Sequence, residues 1–342
     1  MFPARDIVLL FTHSGDHYTV DRVAQEVSRR GALPLRIDTD GFPSEVSLTT
    51  AVEPGRNAVT LRTSSGEVPG DAVRAVWLRR LAPPRIDEAL DPVWRQGCMA
   101  ESVAALEGFL EGLEAAGCRF INPLGAGQAA THKLKQLRLA RSLGLEVPRT
   151  LVSNDPARVR SFFERVEHRM VAKMLTPLSQ SMEAGPSFVY TSVIGPEHLE
   201  ELEGLRYSPM VFQERIDKAR ELRVVIVGRR CFVGAINASG SEAGQVDWRR
   251  AAPGECGWEP GELPQAVAVR LQRMVAALGL VYGAADLIVT PDGRHVFLEV
   301  NPGGEWGMLE HELGLPIAAA LAEALVAEER LPRQPQPAQE SP

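Results

Sequence analysis

Asp286 lies among Ala285, Leu287, Ile288 and Val289, and Glu299 lies among Val296, Phe297, Leu298 and Val300, with Asn301 two positions further on. A charge buried unpaired in such an apolar strand is very costly, so each carboxylate requires a cation. Period-2 alternation is expected to put Phe297, Glu299 and Asn301 on one face, and hairpin pairing would bring Asp286 beside them. Two kinds of partner fit. Three hard oxygen donors on one sheet face suit Mg²⁺, whose remaining positions are commonly filled by water and nucleotide phosphates. Arginines such as Arg223 or Arg249 would satisfy the same carboxylates as ion pairs.

Further charges follow the same pattern. Lys173 sits in Met170-Val171-Ala172-Lys173-Met174, a cation within an otherwise apolar strand, where the alternative is an edge lysine reaching out to water. Lys133, near the start of a helix, is equally at home on a solvated face. Glu221 and Arg223 alternate on one side of a strand whose other side carries Leu222 and Val224. Cations, carboxylates and an amide recurring inside strands suggest a site that holds phosphates and a metal together. Such a site belongs to ATP chemistry.

Other signatures fail on spacing. Gly125-Ala126-Gly127-Gln128-Ala129-Ala130 fits G-x-G-x-x-A, but Asn122-Pro123 interrupts the strand before it and Glu146 opens a strand instead of closing one. The segment reads as a domain linker. No G-x-x-x-x-G-K-[ST] occurs, His311-Glu312 lacks a zincin's second histidine, and no Cys or His stands at structural-zinc spacing. Cys98, Cys118, Cys231 and Cys256 form no C-x-x-C pair and read as reduced thiols.

The elements that must position these residues are legible from periodicity. A strand over 6–12, a helix over 18–30 and a strand over 33–37 form a β-α-β unit, which implies a parallel sheet with helices on its faces. A hairpin over 46–62, a strand over 75–78 and a long helix over 91–117 complete an N-terminal α/β domain. A helix over 128–143 enters the second half. Asn154 or Asp155 caps the next helix, with Pro156 in its first turn. Strands follow over 169–175, 187–193, 210–214, 221–227 and 231–238. A helix over 265–278 leads to strands over 284–289 and 295–300, joined by the turn Thr290-Pro291-Asp292-Gly293. A last helix covers 316–329, and the Pro- and Gln-rich tail is expected to be disordered.

The chain has 342 residues, 44% hydrophobic and 24% charged, with 37 Lys and Arg against 44 Asp and Glu for a net charge of -7. That length exceeds one core of roughly 100 to 200 residues, so two or three subdomains are expected. The acidic charge is spread out, which argues against nucleic acid as a partner. The apolar run over 7–11 is too short for a secretory segment, and Glu323 interrupts the longest membrane candidate, so a cytoplasmic protein without a membrane partner is expected.

Phe212-Gln213-Glu214-Arg215-Ile216-Asp217-Lys218, Glu221-Leu222-Arg223-Val224, Asp247-Trp248-Arg249, Gly283-Ala284-Ala285-Asp286-Leu287 and Phe297-Leu298-Glu299-Val300-Asn301-Pro302 follow in an order and spacing that resemble the ATP-grasp superfamily. More closely the chain is similar to the graspetide synthetases, the microviridin-type peptide ligases. Val76-Trp77-Leu78-Arg79-Arg80, Ala130-Thr131-His132-Lys133 and Gly303-Gly304-Glu305-Trp306 resemble that subfamily too. The likeness runs from the first strand to about residue 329.

That resemblance implies an α/β ATP-grasp fold: an N-terminal pre-ATP-grasp domain over 1–124, a central lid subdomain over 125–212, a C-terminal catalytic subdomain over 213–330 and a tail over 331–342. It implies ATP and Mg²⁺, with Lys133 and Lys173 on the phosphates, Gln213 or Glu214 with the hinge backbone at the adenine, and Asp286, Glu299 and Asn301 on the metal. Glu221 joins the nucleotide site, and Arg223 and Arg249 stand near the transferred phosphoryl group. The implied reaction phosphorylates an Asp or Glu side chain of a precursor peptide and closes an ω-ester or ω-amide with Thr, Ser or Lys. The implied partners are that peptide, with its leader and acid- and Thr-rich core, and a second copy in a homodimer. Where the subfamily pattern has Gln before the tryptophan, this chain has Glu305. A net-negative enzyme does not attract an acidic peptide by its overall charge, so Arg79, Arg80, Arg223 and Arg249 are expected to receive it locally. An ATP-grasp ligase for a small amino acid or a protein terminus would use the same core, a non-catalytic ATP-binding regulator would keep only the binding, and a Rossmann oxidoreductase is a distant third.

Overall fold

The computed structural model describes residues 6–54, 56–175, 191–236 and 257–327. Arg249 with Asp247 and Trp248, Cys256 and the tail over 331–342 lie outside the described residues.

The first unit is built on β1 (Ile7–Thr12), α1 (Tyr18–Arg29) and β2 (Leu33–Asp38), then an antiparallel β3 (Ser47–Glu53), β4 (Arg56–Thr63) and β5 (Gly66–Pro69), then β6 (Val73–Leu78), α2 (Pro92–Ala115) and β7 (Arg119–Ile121). The order β2-β1-β6-β7 makes a parallel sheet. Every residue of β1 is buried, which explains why it reads as one apolar run instead of an alternation. Its two faces serve different cores: Val8 and Leu10 pack toward α1, whereas Ile7, Leu9 and Phe11 pack toward α2.

The expected single helix over 128–143 is two helices, α3 (Leu124–Ala130) and α4 (Lys133–Ser142), broken at an extended His132. The glycine run expected as a linker is therefore helical. The physical reason for the break is Gln136, whose amide donates to Ala130 O at 2.6 Å and so ties the end of α3 to the first turn of α4. A central antiparallel sheet follows, β10-β9-β11-β8, made of β8 (Thr150–Ser153), β9 (Met170–Lys173), β10 (Ser192–Ile194) and β11 (Met210–Glu214). Helix α5 (Pro156–Arg165) covers one face through Val159, Phe162 and Phe163, and Asp155 caps it by accepting from the Ala157 and Arg158 amides.

The largest sheet, β14-β13-β12-β15-β16, is antiparallel throughout: β12 (Arg220–Val227), β13 (Arg230–Ile236), β14 (Trp258–Pro260), β15 (Tyr282–Val289) and β16 (His295–Asn301). Gly293 takes φ +84° in the turn between β15 and β16, a conformation open to glycine without strain. Helix α6 (Gln265–Ala277) and α4 cover one face through Leu222, Val224, Ala285 and Leu287. The other face, through Val225, Val227 and Ala284, shares a core with β1, β6 and α1. Helix α7 (Gly307–Leu313) and the alanine-rich α8 (Ile317–Val326) complete that shared core. Because this sheet is covered on both sides, its strands are apolar at nearly every position, and a charged residue within them is conspicuous.

Candidate active site

The strand register aligns three charges. Arg223 of β12 lies opposite Asp286 of β15, and Asp286 lies opposite Glu299 of β16, so the three residues form one row across the sheet. Asn301 pairs with Ala284 two positions along, on the same face. Arg223 Nε meets Asp286 Oδ1 at 3.0 Å, and Asn301 Nδ2 donates to Glu299 Oε1 at 3.3 Å. The arginine partner that the sequence left open for a carboxylate is thus present at Asp286.

One sequence expectation fails here. Phe297 is fully buried in the core with Leu287 and Val300, on the face opposite Glu299 and Asn301. The pairing shifts between Asp286 and Leu287, so that Leu298 is an extra residue in β16 and reverses the alternation. The bulge puts the aromatic ring in the core and leaves the carboxylate on the site face.

Lys133 reaches this row from α4, with Nζ 3.1 Å from Glu299 Oε2. Its placement follows from Gln136, one turn on and on the same helix face, which donates to Val300 O at 2.8 Å and accepts from Val300 N at 2.9 Å. A buried amide thus hydrogen-bonds the backbone of the edge strand β16 and fixes the helix that carries the lysine. The sequence signal for it was a polar residue at i+3 from Lys133 in a helix otherwise docked through small and apolar residues.

Lys173 approaches from the central sheet. Its ammonium donates to Gln213 Oε1 at 2.9 Å, and Gln213 Nε2 donates to Thr150 Oγ1 at 3.0 Å. Burial pushes the Glu299 carboxyl up; Lys133 foremost, with Lys173 and the Asn301 amide, outweighs burial and holds it below the usual carboxylate range. Lys173, on the central sheet, is thus near enough to help lower the same carboxylate that Lys133 binds. Asp286 and Glu299 keep 26% and 27% of their side chains accessible.

The structure separates two other expected residues from this row. Glu214 follows Gln213 in β11 and so faces the other way, with its carboxylate 3.5 Å from Arg149 Nε. That side opens on a cleft of about 370 Å³ lined by Arg149, Arg169, Glu214, Asp217 and Arg294. None of Lys133, Lys173, Asp286 or Glu299 lines it, so the cleft is not where the phosphate-type charges gather. Glu221 is paired with the buried Lys218.

Arg79 corrects a further expectation. It is 4% exposed. Its guanidinium donates to Thr19 Oγ1 at 3.1 Å, to Gly303 O at 2.9 Å and to Glu305, with Asp16 at 3.6 Å. A group enclosed in that way cannot receive a peptide. Glu305 also accepts from the Trp306 and Gly307 amides at 3.0 and 2.8 Å. Burial raises its carboxyl, and Arg79 first, then the Gly307 amide and Arg80, draws it below the usual range. The acid in place of the expected Gln therefore has a local cause, since it joins two arginines to the start of α7. Nearby, Asn122 accepts from the Val281 and Tyr282 amides, each at 2.8 Å, and donates to Tyr282 O and Pro302 O at 2.8 and 2.9 Å.

The chemistry of the donor set at the row determines which ion it suits. Among the described residues no group of three or more His, Cys, Asp or Glu side chains is poised to hold a metal. Two carboxylates and one amide, all oxygen donors on one face, are an incomplete shell of the kind that suits Mg²⁺ shared with phosphates. The residues present fit that ion.

Comparison with known proteins bears on the fold that carries this site. The family model of the MvdD pre-ATP grasp domain matches residues 7–127. Macrocyclase MdnB from Microcystis aeruginosa MRC is 44% identical, with 94% of this chain and 99% of that chain covered at a TM-score of 0.79. Macrocyclase MdnC from the same strain, solved with precursor peptide MdnA, is 34% identical over 94% of this chain and 99% of that one, at a TM-score of 0.83. A RiPP-associated ATP-grasp ligase from Chryseobacterium gregarium, in complex with ADP and a leader and core peptide, is 30% identical over 94% and 96% of the two chains, at a TM-score of 0.85. Among curated proteins no sequence matches the chain. The chain belongs to the ATP-grasp ligases, and within them to the graspetide synthetases.

Proposed function

We propose that this protein is an ATP-dependent macrocyclase of a ribosomal precursor peptide. The observation that carries the reading is the row Arg223, Asp286 and Glu299, with Lys133 bound to Glu299 and Lys173 acting on it from the facing sheet. Two sheets and the start of α4 thereby bring three cations and two carboxylates together, as transfer of a phosphoryl group from ATP requires.

In the reaction, a carboxylate oxygen of a peptide Asp or Glu bonds to the γ-phosphorus while the bond to the β-phosphate oxygen breaks, giving an acyl phosphate and ADP. A Thr or Ser hydroxyl, or a Lys amine, then attacks the acyl carbon, loses its proton, and phosphate leaves. Lys133 and Lys173 hold the ATP phosphates and Arg223 faces the transferred group. Arg249 joins it on the strength of the family pattern alone. Gln213, by its place beside Lys173, and Glu221 serve the adenosine end, to which Glu214 lends its hinge position and not its side chain. Asp286, Glu299 and Asn301 hold Mg²⁺, which neutralises phosphate charge when bound. Glu299, kept ionised by its lysines, is ready for that role at neutral pH.

The partners in this reading are a precursor with leader and acid- and Thr-rich core, and a second copy in a homodimer. The enzyme works in the cytoplasm; among the described residues no helix is long and apolar enough to cross a membrane. The expected subdomain limits 1–124, 125–212 and 213–330 belong to this reading with small shifts, since α3 begins at Leu124 and β11 carries the central sheet to Glu214. The test is to incubate enzyme, Mg-ATP and peptides encoded by short reading frames beside its gene. Peptide-dependent ADP release with loss of one water per bond in the mass spectrum is expected. ADP release driven by free amino acids instead would overturn the reading.

A further inference from the structure

The parallel sheet has its switch point between β1 and β6, because the chain leaves β1 toward β2 on one side and β6 toward β7 on the other. Open α/β sheets receive ligands in the crevice at the carboxyl ends of the strands beside such a point. Arg79 and Arg80 follow β6 directly into that crevice, and their fates differ. Arg79 is enclosed with its guanidinium occupied, whereas the Arg80 side chain is 49% accessible. Among the described residues the ion pair of Arg80 is with Glu305 alone, Nη2 to Oε2 at 3.1 Å. A guanidinium has five N–H donors, so one such contact leaves most of the fork available.

The crevice adjoins the charged row through the Gly303-Gly304-Glu305 turn. A Cβ on Gly304 would lie 2.5 Å from Ala284 Cβ, 3.2 Å from Asn301 Cβ and 3.3 Å from Arg223 Nη1, so the backbone there passes against the row. The next residue, Glu305, holds Arg80. The buried Tyr282 hydroxyl, which donates to Gly304 O, feels the fields of Arg79, Arg223 and Arg80 together. Arg223 and Arg80 therefore both lie against one turn, the first at Gly304 and anchored to Asp286, the second anchored at Glu305 alone among the described ion pairs.

Phosphorylation of a carboxylate brings two anions into contact, and their repulsion must be offset where they meet. Lys133 and Arg223 already face the phosphate side through Glu299 and Asp286. The incoming carboxylate needs a cation of its own, planar and forked to hold both oxygens in line. We propose that Arg80 binds the peptide carboxylate that is to be phosphorylated, beside the Gly303-Glu305 turn that Arg223 also meets. The proposal rests on the macrocyclase reading and assigns it a residue for substrate recognition.

Arg80→Gln and Arg80→Lys test it, with hydroxylamine added to trap the acyl phosphate as a peptide hydroxamate. Arg80→Gln is expected to lose about 100-fold in hydroxamate and ADP at saturating peptide, the effect of removing one charge-stabilising donor. Its affinity for Mg-ATP is expected to stay within twofold of wild type. Arg80→Lys, which keeps the charge but not the fork, is expected to fall between the two, and guanidine is expected to restore part of the activity to Arg80→Gly. Arg80→Gln turning over peptide within twofold of wild type overturns the assignment and leaves the macrocyclase reading standing. Equal losses in Arg80→Gln and Arg80→Lys, without guanidine rescue, also overturn it. A wild-type enzyme that releases no ADP with any peptide removes the reading and the assignment together.

Discussion

Two clusters of charge lie within a few residues of each other and obey opposite rules. At the junction of the N- and C-terminal units, Arg79 is almost fully enclosed by Thr19, Gly303 and Glu305, and Asn122 makes four hydrogen bonds to strand and turn backbone. In the row of Arg223, Asp286 and Glu299, about a quarter of each carboxylate remains accessible and the cations come from two different sheets and a helix. Buried polar groups with every partner present specify a fold, since each is costly to orphan. Charges held in place but left open to solvent have capacity for a ligand. The contrast separates residues that join the molecule from residues that act.

The sharpest way to break this comparison is to neutralise both carboxylates. Asp286→Asn with Glu299→Gln is expected to lower peptide-dependent ADP release by about 10³-fold or more while the far-UV spectrum and thermal midpoint stay close to wild type. A double variant that unfolds would move the row into the structural class. Asn122→Leu should do the reverse. It orphans the Val281 and Tyr282 amides and two carbonyls, so urea unfolding is expected to show a loss of about 3 kcal/mol with turnover per folded molecule unchanged.

Glu305→Gln gives a smaller effect with a defined pH dependence. The Glu305 carboxyl is held below its ordinary value of 4.5 in the folded protein. A depressed acid contributes stability that is fully present above the unfolded value and is lost as pH falls through the folded one. The thermal midpoint of wild type is therefore expected to exceed that of Glu305→Gln at pH 7 and to converge on it as pH falls below 4.5. A gap independent of pH would remove the charge from the account of the junction.

Much of the fold was legible because its elements are periodic. The β-α-β opening, the cap at Asp155 and the turn at 290–293 each rest on a local rule, and the structure has them. The candidate residues were legible for a related reason: a charge inside an apolar strand interrupts the run, as Arg223, Asp286 and Glu299 do in the sheet covered on both faces and Lys173 does in the central sheet. Gln136 and Asn122 were not singled out as chemistry, because an amide in a helix or a loop stands out only once the docked face is known. Their partners, Val300 and Tyr282, lie far along the chain.

By itself the sequence determined which residues carry charge into strands, the order of the elements and the family they resemble, since these depend on neighbours along the chain. The tertiary structure decided which face each charge occupies and which arginine stays open. The bulge at Leu298 reverses the alternation that would have put Phe297 beside Glu299. The adjacent Arg79 and Arg80 differ because Thr19, Gly303 and Glu305, all distant along the chain, close over the first, whereas Glu305 touches the second once. Period and propensity are local quantities, whereas burial and pairing are set by whatever the fold brings alongside.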